Sequence, residues 1–258
     1  MIEAVVFDWA GTTVDYGCFA PVQAFMESFA HFGIDVTVEE TRKPMGMLKI
    51  EHIRTMLCME RIGNLWKEKY GRSASEEDVQ AIYSQFEPKL LSILNRYSSP
   101  KPHVLEAVGE LRQMGLKIGS TTGYTNKMME IVVPEAAKQG YSPDCWFSPD
   151  STDGKGRPYP YMMFRNMQQL QISSVRNIVK VGDTVSDIKE GINSGAWVAS
   201  VIEGSSELGL NKEEWEALSD AEKKEETKRV EHSFRSAGAH FIIKNMSELP
   251  ALVRMLGI

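Results

Sequence analysis

Four polar clusters in the sequence contain the residue types that phosphoryl transfer requires. Asp8 stands before a glycine- and threonine-containing loop, and Asp183 and Asp187 share an acidic cluster. A carboxylate can attack phosphorus, and further carboxylates can hold a divalent cation. Thr122 and Arg157 supply a hydroxyl and a guanidinium, which can bind phosphoryl oxygens and offset charge in a transition state. Each cluster alone is weak evidence for a function, but the set in this order predicts chemistry on a phosphoryl group.

A lysine on an apolar face predicts a second kind of chemistry. The segment after Pro44 is interpreted as a helix that begins near this proline. Met45, Lys49, His52 and Met56 are spaced 4, 3 and 4 apart, so they would share one helix face. Burial there would lower the pKa of the amine, and a neutral amine condenses with aldehydes to give a Schiff base. The alternative is a solvated lysine beside core methionines, with a structural histidine.

The clusters follow short apolar runs that predict buried strands. Asp8 comes after the run 2–7, Thr122 after 116–121, and Asp183 after 178–181, while 197–202 and 240–243 are similar runs. Helical patterns lie between most of these runs, which indicates an α/β fold with a Rossmann-like, mostly parallel sheet. Ligands collect at the carboxyl ends of such strands, so the clusters are predicted to meet there.

Residues 19–97 interrupt this alternation with helical patterns alone. Thr37 and Ser75 are predicted helix N-caps, since a hydroxyl followed by acidic residues favours a first turn. We predict a helical cap domain over residues 18–98, inserted into an α/β core of residues 1–17 and 99–258. The Glu- and Lys-rich segment 211–231 is interpreted as a solvated helix, with Ser219 and Glu222 as a capping box.

Composition excludes several classes of function. The 258 residues carry a net charge of −6 and are 42% hydrophobic. An acidic chain is a poor candidate for nucleic-acid binding, which depends on Lys and Arg. No apolar stretch reaches the length of a membrane span, and no signal peptide is visible. The three cysteines lack disulfide or zinc spacing, so reduced thiols and a cytoplasmic location are expected.

The ordered motifs resemble those of the haloacid dehalogenase superfamily, with residues 18–98 placed like that family's first type of cap. The resemblance implies that Asp8 attacks phosphorus and forms an aspartyl phosphate. It also implies one Mg²⁺ per subunit, with Thr122 and Arg157 binding the phosphoryl group. The metal ligands that it implies are Asp8, the carbonyl of Ala10, Asp183 and the supporting Asp187.

Ala10 departs from the pattern of ordinary phosphatases in this superfamily. They carry a second aspartate at this position, which protonates the leaving oxygen of an ester. A general acid contributes a factor of about 10²–10⁴ to the rate. Either the protein is a poor phosphatase, or its leaving group needs no such proton, as when a Schiff base accepts the electrons of a breaking C–P bond.

Ala10 and Lys49, which depart from the general pattern, and the shared motifs together resemble the phosphonoacetaldehyde hydrolase family. The resemblance lies in segments 8–18, 42–52, 119–124, 156–160 and 182–187. This resemblance implies hydrolysis of a small phosphonate to acetaldehyde and phosphate, within 2-aminoethylphosphonate degradation. It implies a Schiff base on Lys49, proton transfers assisted by His52, and a substrate site lined by Cys18, Met45 and Gly46. It further implies a homodimer formed through the cap domains.

Three other functions remain possible from the residues alone. A phosphatase or mutase acting on a small sugar phosphate is disfavoured by Ala10. A binding protein without turnover is disfavoured by the intact polar set. A dehalogenase needs no metal, so the pair Asp183 and Asp187 speaks against it.

Overall fold

A computed structural model describes residues 1–257 and contains one six-stranded sheet. The strands are β1 (Ala4–Phe7), β2 (Lys117–Thr121), β3 (Cys145–Phe147), β4 (Ile178–Gly182), β5 (Trp197–Val201) and β6 (Phe241–Ile243). Their order is β3-β2-β1-β4-β5-β6, and each neighbouring pair is parallel. This is the Rossmann order, so the predicted fold class is confirmed.

Burial on both faces explains the strand sequences. All four residues of β1 are buried, as expected for a central parallel strand covered by helices on both sides. The register aligns Phe7 with Ser120 and Val181, so β1, β2 and β4 end at the same level. The five predicted strands are confirmed within two residues at each end. The edge strand β3 was not predicted, because three half-buried residues give too short a pattern.

Twelve helices accompany the sheet in residues 1–257. Five helices lie between β1 and β2 in the chain: α1 (Phe19–His31), α2 (Val38–Arg42), α3 (Lys49–Leu57), α4 (Glu60–Tyr70) and α5 (Glu76–Ile93). The others are α6 (Val104–Gln113), α7 (Asn126–Lys138), α8 (Tyr161–Gln169), α9 (Val185–Ser194), α10 (Lys212–Ala217), α11 (Asp220–Ala237) and α12 (Leu249–Met255). None of these helices combines the length and apolarity needed to cross a bilayer.

Helices α1 to α5 pack around their own apolar centre. Helix α1 lies against α5, and α5 also contacts α3. Phe25 of α1 stacks on Phe86 of α5, with ring centroids 4.1 Å apart, and both rings are fully buried. The same apolar cluster continues into the sheet through Trp9 and Phe7. The apolar core of the helical segment is therefore continuous with that of the sheet, and the division between the two at residues 18 and 98 stays a prediction.

Capping boxes set the starts of four of these helices. Three of them confirm the predicted N-caps: Thr37 with Glu40 at α2, Ser75 with Asp78 at α5, and Ser219 with Glu222 at α11. The fourth joins Asn211 and Glu214 at α10. Each box satisfies amides at a helix start that have no partner within the helix. The segment 211–231 forms two helices, α10 and most of α11, where one was expected.

The predicted helix start near Pro44 is wrong. Helix α3 begins at Lys49, and residues 44–47 form a turn in which Gly46 has φ +86°. A side chain at Gly46 would overlap Thr184 and Ser186 of the core. The close approach of this turn to the core thus overrides the helical pattern. Met45 nevertheless lies beside Lys49, with its Sδ 4.0 Å from the lysine Nζ.

Replacement of Thr37 by alanine should lower the free energy of unfolding by about 1 kcal/mol. The Thr37 hydroxyl accepts a hydrogen bond from the amide of Glu40, and alanine leaves this amide without the acceptor. Urea unfolding followed by circular dichroism measures the change. Thr37→Ser is the control, since it keeps the acceptor; an equal loss in both variants would contradict the capping role.

Candidate active site

The candidate site lies beside β1, where the order of the strands switches from one side of the sheet to the other. β1 pairs with β2 on one side and with β4 on the other, which creates the crevice where ligands of doubly wound sheets bind. Asp8 directly follows β1, Thr122 follows β2, and Asp183 follows β4. The sheet thus brings together residues that are up to 175 positions apart in the chain.

Three buried carboxylates form a cluster that can hold a metal ion. Asp8, Asp183 and Asp187 each place a carboxylate oxygen within 4.8 Å of the others. Thr12 Oγ1 donates to Asp183 Oδ1 over 2.7 Å, and the Ser206 amide donates to Oδ2 over 2.8 Å. These bonds fix the orientation of Asp183 toward the cluster. Oxygen ligands of this kind suit Mg²⁺.

The charges of this cluster favour a cation. Burial raises the pKa of Asp8, and the nearby Asp187 adds to this while Arg157 opposes it. Burial, followed by Asp8 and Asp187, raises the pKa of Asp183 to about 8. The pKa of Asp187 is lowered, because Arg157 and Lys180 outweigh the effect of its burial. A divalent cation would favour the ionised form of all three groups, so the residues fit the metal that the resemblance implies.

Arg157 joins the nucleophile candidate to the rest of the site. Its Nη2 donates to Asp8 Oδ1 over 2.7 Å, and its Nη1 donates to the carbonyl of Gly46 over 3.3 Å. The side chain is buried, yet Asp187, Asp8 and Glu190 raise the pKa of Arg157 against the effect of burial. The guanidinium is therefore charged and held beside the cluster, where it can bind an anion.

Lys49 reaches the site from the helical segment. It begins α3 and is only 3% exposed. Its Nζ lies 5.0 Å from the centroid of the Tyr124 ring. Burial lowers the pKa of Lys49, and Arg157 contributes, while Cys18 and Asp8 act in the opposite direction. The amine is therefore more readily neutral than an exposed lysine.

Asp8 and Lys49 line one small cavity. Its volume is about 10 Å³, room for about one water molecule, and it lies between the strand ends and α3. The lining residues are Asp8, Ala10, Cys18, Met45, Gly46, Lys49, Thr122, Gly123, Tyr124, Arg157 and Thr184. A wider groove beside α1 contains none of them. The smaller cavity is the candidate site, because it combines a nucleophile candidate, a buried amine and a cation.

Three of the sequence-predicted residues do not line the cavity. Asp183 and Asp187 belong to the carboxylate cluster but lie outside the lining. His52 is fully buried one helical turn after Lys49, stacks on Phe25 at 3.9 Å, and donates from Nε2 to the carbonyl of Thr41 over 2.8 Å. Burial, and next the charge of Lys49, hold the pKa of His52 well below its ordinary value. His52 is therefore neutral and beside the amine.

Sequence reasoning missed several residues of the site. Tyr124 was noticed only as part of a motif, yet its ring forms one wall of the cavity. Lys180 and Glu190 are fully buried and bonded to Arg157 or Asp187. A charged residue inside the apolar run of β4 was the available signal for Lys180. Glu190 gives a weaker signal, since a glutamate on a helix is ordinarily exposed.

Comparison with known proteins agrees with this geometry. The family model of haloacid dehalogenase-like hydrolases matches residues 2–195. A bifunctional phosphonoacetaldehyde hydrolase/aminoethylphosphonate transaminase of Clostridioides difficile is 56% identical over 96% of the chain, and the chain spans 39% of that protein's length. A phosphonoacetaldehyde hydrolase of Lysinibacillus sphaericus is 51% identical, with 99% of the chain and 95% of the relative covered.

A solved structure gives the same result. The crystal structure of a phosphonoacetaldehyde hydrolase-like protein from Oleispira antarctica superimposes with a TM-score of 0.95 at 38% identity, covering 99% of this chain and 92% of the other. The chain is therefore an enzyme of the haloacid dehalogenase-like hydrolase class. Within that class it belongs to the phosphonoacetaldehyde hydrolase family.

Mg²⁺ should raise the thermal unfolding midpoint of the protein through the carboxylate cluster. At a concentration 100 times Kd, binding to the folded state alone adds about 2.7 kcal/mol of stability. Asp183→Asn should remove most of this effect, because it deletes one charge of the cluster. Differential scanning calorimetry with and without Mg²⁺ measures it. Asp35→Asn, at an exposed carboxylate, is the control; an unchanged Mg²⁺ effect in Asp183→Asn would exclude this cluster as the metal site.

Proposed function

We propose that this protein hydrolyses the C–P bond of phosphonoacetaldehyde, giving acetaldehyde and phosphate. One observation carries the proposal: Lys49 and Asp8 line the same cavity, and Ala10 stands where phosphatases have their acid. An ester substrate would require that acid for its leaving oxygen. An aldehyde substrate instead requires a neutral amine, which the burial of Lys49 favours. The names of the relatives support the same substrate.

The phosphonate group binds at the strand ends in this proposal. Arg157 pairs with its oxygens, and the Thr122 hydroxyl, which also accepts from the Tyr124 amide at 3.0 Å, lies on the same wall. Asp8, Ala10 through its carbonyl, Asp183 and Asp187 would hold Mg²⁺. When bound, this ion would offset the charge of the phosphonate and of the carboxylates. Cys18, Met45 and Gly46 enclose the two-carbon aldehyde.

Lys49 then prepares the carbon atom for departure. Its neutral amine attacks the carbonyl carbon, water leaves, and a protonated imine forms. We assign His52 a part in these proton transfers, because its ring is neutral and lies one turn from Lys49. The apolar surroundings, with Met45 and the Tyr124 ring nearest the amine, slow the hydrolysis of this imine by excluding water.

Asp8 completes the cleavage. A carboxylate oxygen attacks phosphorus, the C–P bond breaks, and its electron pair moves to carbon to form an enamine with the iminium nitrogen. Arg157 stabilises the charge that develops on the phosphoryl oxygens. Water hydrolyses the aspartyl phosphate to phosphate and frees Asp8. The enamine takes up a proton, and its hydrolysis releases acetaldehyde and regenerates Lys49.

The family resemblance supports further proposals on context. We assign the enzyme to 2-aminoethylphosphonate degradation, as a relative joins the hydrolase to an aminoethylphosphonate transaminase in one chain. A homodimer formed through residues 18–98 and a cytoplasmic location rest on the resemblance alone. Opening and closing of residues 18–98 over the sheet would admit the substrate and then exclude water.

Replacement of Lys49 by arginine should reduce acetaldehyde release by at least about 10³-fold, or about 4 kcal/mol of barrier. Arginine keeps the positive charge but forms no imine with the aldehyde. Acetaldehyde is followed by coupled reduction with alcohol dehydrogenase. Lys43→Arg, on the exposed end of α2, is the matched control. Retained turnover in Lys49→Arg would exclude the Schiff base, and turnover of phosphate esters by the wild type would favour a phosphatase.

Imine formation should show a lysine that titrates below the ordinary range. Cyanoborohydride reduces the protonated imine, whose formation consumes one neutral amine and one proton, so the trapping rate is constant below the pKa of Lys49 and falls above it. Burial lowers this pKa, so the fall is expected to begin below the value of about 10.4 for an exposed lysine. Reductive trapping of acetaldehyde with cyanoborohydride, read at Lys49 by mass spectrometry, measures the profile. A rate that falls only above about pH 10.4, as for free Nα-acetyl-lysine, is the contrary result.

A further inference from the structure

We propose that Lys180 and Glu190 are positioning residues that hold Arg157 in the orientation required to bind the phosphonate; this inference rests on the proposed function. Neither residue lines the cavity. Both are fully buried, one in β4 and the other in α9. Buried charges are costly unless they are paired, so their presence under the site needs an explanation.

Glu190 fixes one edge of the guanidinium. Its Oε2 accepts a hydrogen bond from Arg157 Nε over 2.9 Å. The same oxygen accepts from Thr121 Oγ1 over 2.8 Å. The Thr121 hydroxyl in turn accepts from Arg157 Nη2 over 2.8 Å. The guanidinium is thus held at two nitrogens by a carboxylate and a hydroxyl that do not line the cavity.

Lys180 connects the same atoms from the opposite strand. Its Nζ contacts Thr121 Oγ1 at 2.8 Å, Asp187 Oδ1 at 3.0 Å and Glu190 Oε2 at 3.1 Å. The first contact is a hydrogen bond and the other two are ion pairs. Asp187 Oδ1 also lies 3.1 Å from Arg157 Nη2. Lys180 therefore ties the carboxylate cluster to the residues that hold Arg157.

Lys180 and Glu190 flank the acidic segment 183–187 at equal distances along the chain. Lys180 stands three residues before Asp183, and Glu190 stands three residues after Asp187 on the same face of α9. A strand, a loop and a helix thereby hold the cation and the carboxylates as one unit. A guanidinium held in this way loses little rotational freedom when the phosphonate binds.

Glu190→Ala distinguishes a positioning role from a purely electrostatic role, because the two roles predict opposite changes in phosphate affinity. If Glu190 acted only through its negative charge, its removal would tighten anion binding. If it positions Arg157, the dissociation constant for inorganic phosphate should rise about tenfold and kcat should fall about 100-fold. Isothermal titration calorimetry with phosphate and Mg²⁺ measures the first quantity. Tighter or unchanged phosphate binding in this variant would overturn the proposal.

Glu190→Gln tests the hydrogen bond itself. Glutamine keeps an oxygen acceptor for Arg157 Nε but removes the charge, so it should restore most of the phosphate affinity lost in Glu190→Ala. Failure of this rescue, with a folded protein, would contradict positioning through the bond. If Glu190→Ala does not fold, Glu190→Gln combined with Lys180→Met removes both charges together and should show the same loss of affinity.

Lys180→Met should also weaken phosphate binding about tenfold, because Thr121, Asp187 and Glu190 lose their common donor. Lys117→Met is the matched control, since Lys117 is an exposed lysine at the start of β2. It removes the same charge from the protein and should leave phosphate affinity unchanged. Equal losses in the two variants would indicate a general effect of charge and overturn the proposal.

Trapping of acetaldehyde at Lys49 distinguishes positioning from collapse of the site. Arg157 takes no part in imine formation, so all of these variants should trap acetaldehyde at the wild-type level. Loss of trapping together with phosphate affinity would indicate a purely structural role for the pair. Failure of the proposed function gives a different result: the wild type then neither traps acetaldehyde nor turns over the phosphonate. In that case, the phosphate affinities of the variants still decide the role of Lys180 and Glu190.

Discussion

The site depends on the pairing of ionisable groups that are buried beneath the ends of β1, β2 and β4. Three aspartates, one glutamate, one arginine and one lysine lie within this region with at most 5% exposure. The cost of removing such charges from water is compensated only when each has close partners in good geometry. The short contacts of Arg157 and Lys180 meet this requirement on one side. A cation among the aspartates would meet it on the other.

A second constraint comes from the amine, which must be close to these charges without being paired with them. Lys49 is carried by α3, outside the sheet, and its amine contacts the thioether of Met45. The stack of Phe25 on His52 and on Phe86 supports the helix from behind. The sheet can thus hold a strongly charged half of the site, while the helical segment holds a weakly polar half. Their separation in the chain allows the two halves to differ so much in polarity.

Much of the fold and of the site could be predicted from the sequence, for different reasons. The strands β1 and β4 are short apolar runs that end in aspartates, so both their position and their chemistry are visible. Lys49 stood out because an amine among methionines is unusual. The start of α3 was mistaken because the turn at Gly46 is set by contact with Thr184 and Ser186, which lie about 140 residues away. Local patterns hold no information on such contacts, and the same limit explains why Glu190 was missed.

The cavity is closed on one side by main chain as much as by side chains. Gly46 and Gly123 face each other there, and a Cβ atom on Gly123 would lie 2.6 Å from the carbonyl oxygen of Met47. Glycine is already the smallest residue, so this wall cannot be trimmed by substitution. Widening the cavity on this side would therefore require a change in the length or path of the 44–47 turn. Point substitutions can shorten only the side chains of the other walls, such as Cys18 and Met45, so protein engineering on the glycine side is a problem of loop design.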